Sequence, residues 1–418
     1  MNVLSKPLNR LRFSAYCVLL FGGMLATSHA SAEEAPAYPE LLRQSLSQAP
    51  LLLEQAANVR SASADIEQAR AYRNPNFSGT IENLNTRADL VQHTGMLNQP
   101  FEIGGKRAAR IEARTKDLLV AEAREKQIQV QYAAELASSY GLVEAMKSRV
   151  KVAEEDMSRA SDDLGAAKAL VEAGKEAQLR LSQAQANVSA AEAALQSARA
   201  NLTEALERLS AFSGSRKSFT DLSTNLTERV IQLTPGAIGD ISSSPFILRA
   251  QAEREAYLAQ VRVEEKKWIP DVSLSAGIRR FEGSSDNALV IGFSSDIPVF
   301  DQNRGGISSA KEKAIAAEAR LNAVILDTGA AQRSALAQVT ASERRLIAAR
   351  SGEQAADQAY LLAKTGYEAG KTSLIELLLT RKSLTDAKLM TIDASFTLVK
   401  SLASLAIAEG RIAFGDLK

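Results

Sequence analysis

From Lys106 to Ala173 the chain runs through 68 residues with no proline and a heavy loading of Ala, Glu, Lys, Arg, Gln and Leu. A helix over that span reaches about 100 Å at roughly 1.5 Å per residue, longer than a single globular core or a bilayer. It is preceded by Gln99-Pro-Phe-Glu-Ile-Gly-Gly-Lys-Arg107, which closes a strand-like alternation. Its first convincing stop is Glu172-Ala173-Gly174-Lys175. The rest of the chain is organised around this rod and a second copy of it. With aromatics at only 5% and alanine abundant, the composition fits long packed helices rather than a row of ordinary domains. The formal net charge of +1 leaves no electrostatic footprint for nucleic acid, so no such partner is expected.

The N-terminus reads as a secretion signal over 1–32. Lys6, Arg10 and Arg12 precede an apolar run from Phe13 to Leu25, and Ala30-Ser31-Ala32 supplies small residues for cleavage. The run is shorter than the ~20 residues of a spanning helix. Removing it leaves 47 basic against 49 acidic residues, that is 50 less Lys6, Arg10 and Arg12. Cys17, the one cysteine, goes with it, so the expected mature chain has no thiol for a disulfide, metal site or nucleophile. No later apolar stretch reads as a transmembrane helix. Membrane residence therefore has to come from strands.

The chain repeats itself. A helix opens at Ala49-Pro50 and ends at Asn74-Pro75; another opens at Ser244-Pro245 and ends at Ile269-Pro270. Proline is tolerated at a helix start and stops a helix beyond its end. Gln99-Pro100-Phe101 matches Ile297-Pro298-Val299, and Val171-Glu-Ala-Gly-Lys175 matches Tyr367-Glu-Ala-Gly-Lys371. The offsets are 195, 198 and 196 residues, which points to a duplication. The expected organisation is a first repeat over 33–212, an inter-repeat linker over 213–244, a second repeat over 245–410 and a tail over 411–418. Each repeat reads helix, strand, turn, strand, very long helix, tight turn, helix.

In the second repeat Val272, Leu274, Ala276 and Ile278 alternate with polar or small residues, as do Leu289, Ile291, Phe293, Ile297 and Val299. The first repeat is fainter: Phe77, Gly79 and Ile81, then Val91, His93, Gly95 and Leu97. Strands of about ten residues suit a tilted barrel wall. The same pattern also suits an antiparallel sheet lying on a soluble core; the secretion signal and the lack of core nearby favour the barrel. Four strands cannot close one, and an open sheet in lipid leaves unsatisfied edges, so copies have to pool their strands. After the first tight turn, Leu181, Val188, Leu195, Leu202 and Leu209 recur every seven residues beside Ala184, Ala191, Ala198, Ala205 and Phe212, a coiled-coil seam.

On the duplicated Pro…Asn-Pro junctions, the Gln99–Arg107 stretch and the paired Glu-Ala-Gly-Lys turns, the chain resembles the TolC family of trimeric outer-membrane efflux channels over nearly its whole mature length. The Phe-Glu-Ile-Gly-Gly-Lys-Arg form is most similar to the CzcC-like branch, which serves heavy-metal efflux. The resemblance implies a mostly α fold with a small β part. Three subunits would contribute four strands each to one outer-membrane β-barrel, continuing into a long α-helical coiled-coil tunnel across the periplasm. It also implies a periplasmic adaptor (membrane fusion) protein and a resistance–nodulation–division inner-membrane pump as partners, with outer-membrane lipid around the barrel.

Glycine at Gly174 and Gly370 first answers a backbone need, since it accepts positive φ where a helix ends. By the resemblance, Val171, Gly174, Lys175, Tyr367, Gly370 and Lys371 at the hairpin tips also contact the adaptor. Glu376 stands where the family carries an aspartate at the tunnel's constricted end, and threefold symmetry would gather three carboxylates into a cation-attracting ring. Its counterpart in the first repeat is Arg180, expected to pair with Glu376 and hold the tip closed. Leu379 occupies the place of a second family acid, so the ring would be single. The nearby reading is that these are solvated charges on a helix.

Other motifs carry less. Gly104-Gly105-Lys106 is no phosphate loop, because Pro100 stands where the first glycine is needed and Arg107 where Ser or Thr is needed. The glycines fit a turn from strand into helix. His93 is the one histidine after the signal, too few for a transition-metal site, so no metal ligand or cofactor is expected and selectivity would lie in the pump. No activated nucleophile or acid–base pair marks an enzyme. The expected function is a passive exit duct for divalent heavy-metal cations; a drug or organic-compound duct and a secreted structural coiled-coil protein are the alternatives.

Overall fold

Two long helical hairpins carry the described chain, which in this computed structural model comprises residues 33–84, 87, 90–232, 241–284 and 286–415. The expected secretion signal, Cys17 and Thr234-Pro235-Gly236 lie outside the described residues. In order, the elements are β1 (Glu33–Ala35), α1 (Tyr38–Gln48), α2 (Pro50–Arg70), β2 (Asn76–Glu82), β3 (Gln92–Phe101), α3 (Lys106–Glu172) and α4 (Gln178–Ser213). Then come β4 (Phe219–Leu222), α5 (Leu226–Ile231), a 3-10 turn (Ile241–Ser243), α6 (Pro245–Lys267), β5 (Val272–Phe281), β6 (Asn287–Ser295), α7 (Arg304–Glu368) and α8 (Leu374–Ala408). The order α2-β2-β3-α3-α4 recurs as α6-β5-β6-α7-α8.

The rods α3 and α7 hold 67 and 65 residues, each about 100 Å long. α3 packs along α4, α6 and α8, and α7 along α6 and α8. On α4 all ten expected seam positions are buried or half-buried, while the charges Glu192, Arg199 and Glu207 are exposed. Alanines at Ala184, Ala191 and Ala205 let the neighbouring rod approach. Among the described residues one helix, α8, is long and apolar enough to cross a membrane, contrary to the expectation that none would be. Its apolar residues serve packing: Leu374, Leu377, Leu384, Leu398 and Val399 are buried against neighbouring rods.

The described part of the segment between the hairpins carries a strand, a short helix and a 3-10 turn. β4 pairs in parallel with β1, and α5 is pinned to α3 by Glu144, whose carboxylate accepts from Leu226 N–H and, at 2.9 Å, from Thr227 N–H. Burial pushes the Glu144 carboxyl above the usual carboxylate range against these hydrogen bonds. The largest core gathers here, midway along the rods, from Tyr38, Leu41, Leu136, Tyr140, Leu209, Val230 and Val399. The Tyr38 hydroxyl sits 2.9 Å from Ala133 O and 2.8 Å from Ala413 O, tying α1 and the segment after α8 to α3.

At the other end the strands form one antiparallel sheet in the order β2-β3-β5-β6. The expected strands form, but Ile297 and Val299 fall beyond β6 and Val91 just before β3. α2 stops at Arg70, short of the expected stop at Asn74-Pro75. There Ala71 turns extended, and α3 reaches across to satisfy the freed carbonyls: Arg107 donates to Arg70 O and Arg110 to Ala69 O.

Candidate functional site: the sheet, the joint and the hairpin tips

Strand alternation gives the sheet two unlike faces. Phe77, Leu97, Ala276 and Ile291 line up across all four strands; Ile278 pairs with Leu289 in the next row and Leu274 with Phe293 in another. These side chains have no cover: Phe77, Ile291 and Phe293 are 74, 76 and 82% exposed. The opposite face carries Ser78, Thr80, Thr94, Asn98, Ser273, Arg279 and Ser294. Arg279 donates to Thr94 Oγ1 at 3.1 Å, and Asn98 to Ser78 Oγ at 3.2 Å. A sheet lying on a soluble core would bury its apolar face. This one presents that face outward and hydrogen-bonds on the other, as a wall between hydrocarbon and water does.

The stretch Gln99–Arg107 is the joint between sheet and rod. Gly104 and Gly105 take φ of +70° and +80°, which turns β3 into α3 as the glycines require. Glu102, a half-buried residue whose side chain is 7% exposed, is gripped by Arg110 and lies 3.5 Å from Arg73. Arg73 in turn lies 3.3 Å, and Lys106 2.6 Å, from Asp271 at the foot of β5. This network links the two halves of the chain under the sheet. Sequence reasoning noticed the motif but not the ion pairs, because Arg73 and Asp271 lie far from it along the chain.

His93 stands on the strand's exposed side, Nε2 3.5 Å from Glu282. Among the described residues no group of three His, Cys, Asp and Glu side chains converges to hold a metal ion.

At the far end the two tips have the same backbone. Lys175 N–H donates to Leu170 O at 2.9 Å and Gly174 N–H to Val171 O at 3.0 Å. Lys371 N–H donates to Gly366 O at 2.8 Å and Gly370 N–H to Tyr367 O at 2.9 Å. With φ of +70° at Gly174 and Gly370, both are Schellman closures. A Cβ at either glycine would touch nothing within 4 Å, so alanine is opposed by conformation alone, at about 1–2 kcal/mol. Gly174→Ala and Gly370→Ala are expected to speed amide exchange at the tip they close while leaving the midpoint of global unfolding nearly unchanged. Hydrogen-exchange mass spectrometry checks this; protection unchanged at the tip would contradict it.

Of the six tip residues expected at the surface, Gly174, Lys175, Gly370 and Lys371 are exposed and Val171 is half-buried. Tyr367 is not available: it is 1% exposed and packs with Ala167, Ala184, Tyr360, Leu374 and Leu377. It lies seven residues after Tyr360 on the inner stripe of α7, which the matching Val171 on α3 does not share. The Arg180–Glu376 pair is also not formed within the chain. Arg180 closes on Glu176 at 3.9 Å, four residues back, whereas Glu376 stands in the first turn of α8 on an exposed face, its N–H donating to the Oγ of the capping Ser373.

Most of the ionic contacts that do fasten this end run between α3 and α8, with Lys364 of α7 adding one to Asp162. Arg149 meets Asp393, Glu155 meets Lys388, and Arg381 lies 3.8 Å from both Asp156 and Asp163. The Lys388 ammonium and its hydrogen bond hold the Glu155 carboxyl below the usual range. Arg381 and Asp163 are 6 and 2% exposed, and burial pushes the Asp163 carboxyl up to about 6 despite the nearby guanidinium. Six buried polar atoms here, on Arg159, Asp163, Tyr360, Tyr367 and Arg381, make no hydrogen bond. The repeat of Asp156 and Asp163 at seven residues was the available sequence signal.

A four-stranded sheet with an apolar outer face, joined to 100 Å helical hairpins, defines an outer-membrane channel subunit. The chain belongs to the outer membrane efflux protein family, whose model matches residues 41–215 and 241–411. The family is one of efflux channels rather than of catalysts. The chain is 48% identical to the nickel-cobalt-cadmium resistance protein NccC of Alcaligenes xylosoxydans xylosoxydans, over 96% of this chain and 93% of that protein. It is 47% identical to the nickel and cobalt resistance protein CnrC of Cupriavidus metallidurans, over 99% of each. The solved structure of CusC superposes with a TM-score of 0.78 at 19% identity, covering 90% of this chain and 92% of that one, a likeness of fold.

Proposed function

We propose that the chain is the outer-membrane duct of a tripartite efflux system for divalent heavy-metal cations, working as a homotrimer. The observation that carries this reading is the sheet with two free edges and a bare apolar face. Backbone groups cannot stay unpaired in hydrocarbon, so the sheet has to be completed by other copies, and three copies give twelve strands. The rods then continue the barrel as a tunnel through the periplasm, with the tips toward a periplasmic adaptor and a resistance–nodulation–division pump. Val171, Gly174, Lys175, Gly370 and Lys371 are the proposed adaptor contacts, with Tyr367 supporting them from beneath. The metal assignment is supported by the names of NccC and CnrC.

The duct does no chemistry. Energy comes from the pump, and the duct's part is to open at the tip and to favour cations on the way out. Glu376, exposed on the first turn of α8, would meet its two symmetry mates as a carboxylate ring, with Arg180 as the nearby cation of the same gate. Glu376→Gln is expected to lower the cation preference of the purified pore in planar bilayers; an unchanged reversal potential in a salt gradient would remove the ring.

The reading as a whole is tested by a deletion strain with its pumps intact, grown on nickel, cobalt, cadmium and zinc and on hydrophobic drugs. Sensitivity to metals alone, restored by the cloned gene, is the expected result. Sensitivity to drugs alone would keep the duct and overturn its cargo.

A further inference from the structure

The two free edges of the sheet also fix what lies beneath them. Neighbouring strands are antiparallel throughout β2-β3-β5-β6, so β6 runs toward the helices and β2 away from them. When β6 of one copy pairs with β2 of the next, the alternation continues. The segment leaving β6 then meets the segment entering the neighbour's β2.

The leaving segment is Asp296–Gln302. In it Ile297, Val299 and Phe300 are 80, 64 and 99% exposed. The matching stretch of the other half is held by its own chain, through Glu102 and Arg110. A ring as bare as that of Phe300 calls for cover, since water is a poor solvent for a large apolar surface. The entering segment, Tyr72 to Asn74, borders a cavity of about 410 Å³ between the end of α2 and α3, lined also by Arg110 and Arg114. A cavity of roughly 150 Å³ holds a benzene ring, so this one has room for a phenylalanine and part of its neighbour. Three guanidiniums, of Arg73, Arg110 and Arg114, border the cavity together with Asp65; each already has a carboxylate partner in its own chain, Asp271, Glu102 and Asp117 in turn, so what they offer an arriving ring is cation–π contact.

We infer that Phe300 of one copy seats in this cavity of the next, its ring against Tyr72 and the arginine faces. Cation–π contact and burial of the ring act together there. One such anchor per interface runs head to tail and closes into a ring. The inference rests on the homotrimer proposed above. It makes the loop between β6 and α7, rather than strand pairing alone, a fastening of the assembly at the foot of the barrel. The other destination for an exposed aromatic at this level is the lipid interface.

The test uses the full chain in detergent and in lipid. With Cys17→Ser as background, Phe300→Cys and Asn74→Cys together are expected to give an oxidant-dependent ladder ending in a covalent trimer. Phe300→Ala is expected to raise the dissociation rate of the trimer in mild denaturant about tenfold or more, as loss of an aromatic anchor does. Phe300→Trp in a Trp268→Phe chain reports the surroundings: brominated phospholipids should quench it weakly. A particle with the mass of three subunits, no Phe300–Asn74 cross-link and strong quenching would put Phe300 in lipid and overturn this anchor alone. A monomeric mass would overturn the trimer, and the anchor with it.

Discussion

Replacing Arg381 by alanine is expected to loosen the tip half of the rods by about 3–5 kcal/mol per subunit, the usual cost of stranding one member of a buried ion pair. Arg381 is the guanidinium facing both Asp156 and Asp163, and the Asp163 side chain is only 3% exposed. Without it, burial acts on that carboxylate with only Lys364 to offset it, and Lys364 is already 3.6 Å from Asp162. The loss should be local, because the core around Tyr38 and Tyr140 lies elsewhere on the rods.

The same site gives a pH dependence with a definite sign. The folded Asp163 carboxyl is raised from 3.8 to about 6. Between those values the folded chain holds the extra proton, so this contribution to stability is complete below the lower value and is lost as pH rises through the upper one. Removing Arg381 moves the carboxyl higher still. The Arg381→Ala defect should therefore be smaller at pH 5 than at pH 7.5, and Asp163→Asn should remove most of that difference. Pulse proteolysis or amide exchange over residues 156–172 and 374–388 is the measurement. An equal defect at both pH values would separate Arg381 from Asp163.

A second large effect is expected on the sheet. Ile291 lies in mid-strand on the apolar face, in one row with Ala276, Leu97 and Phe77. Arginine there costs about 2–4 kcal/mol at the bilayer midplane, and a trimer meets the cost three times. Ile291→Arg is expected to block assembly into outer-membrane vesicles while the helical circular dichroism persists. Ser294→Arg, on the same strand but the polar face, should assemble. Equal behaviour of the two variants would contradict the assignment of the faces.

Much of this molecule was legible in one dimension. The uninterrupted helix formers from Lys106, the two-residue alternation of Val272 to Ile278 and the glycines of the two tips each predict their own element. Residue spacing also announced the heptad seam on α4. What it did not announce was the parallel pairing of β1 with β4. Those strands have three and four residues, too short for a periodic signal, and they meet from opposite ends of the first half. The apolar stripe of α8 was likewise read too weakly. A helix packed against rods on two sides needs apolar residues on both, which blurs the one-sided pattern.

Tyr367 and Arg180 mark the boundary between the two kinds of information. Local sequence placed both near a hairpin tip, and there they are. Whether Tyr367 faced solvent or core, and which carboxylate Arg180 reached, depended on how each rod is rotated about its axis and staggered against its neighbours. No spacing within one helix encodes that rotation; it is set by the sum of many contacts along a 100 Å interface. By itself the sequence determined the order of the long elements and, to within a few residues, their lengths and ends, because those follow from interactions over three to seven residues. Only the tertiary structure decided that Arg381 would meet Asp163 and that Arg73 would tie Glu102 to Asp271, because charges on separate helices and strands become neighbours only after the rods have packed.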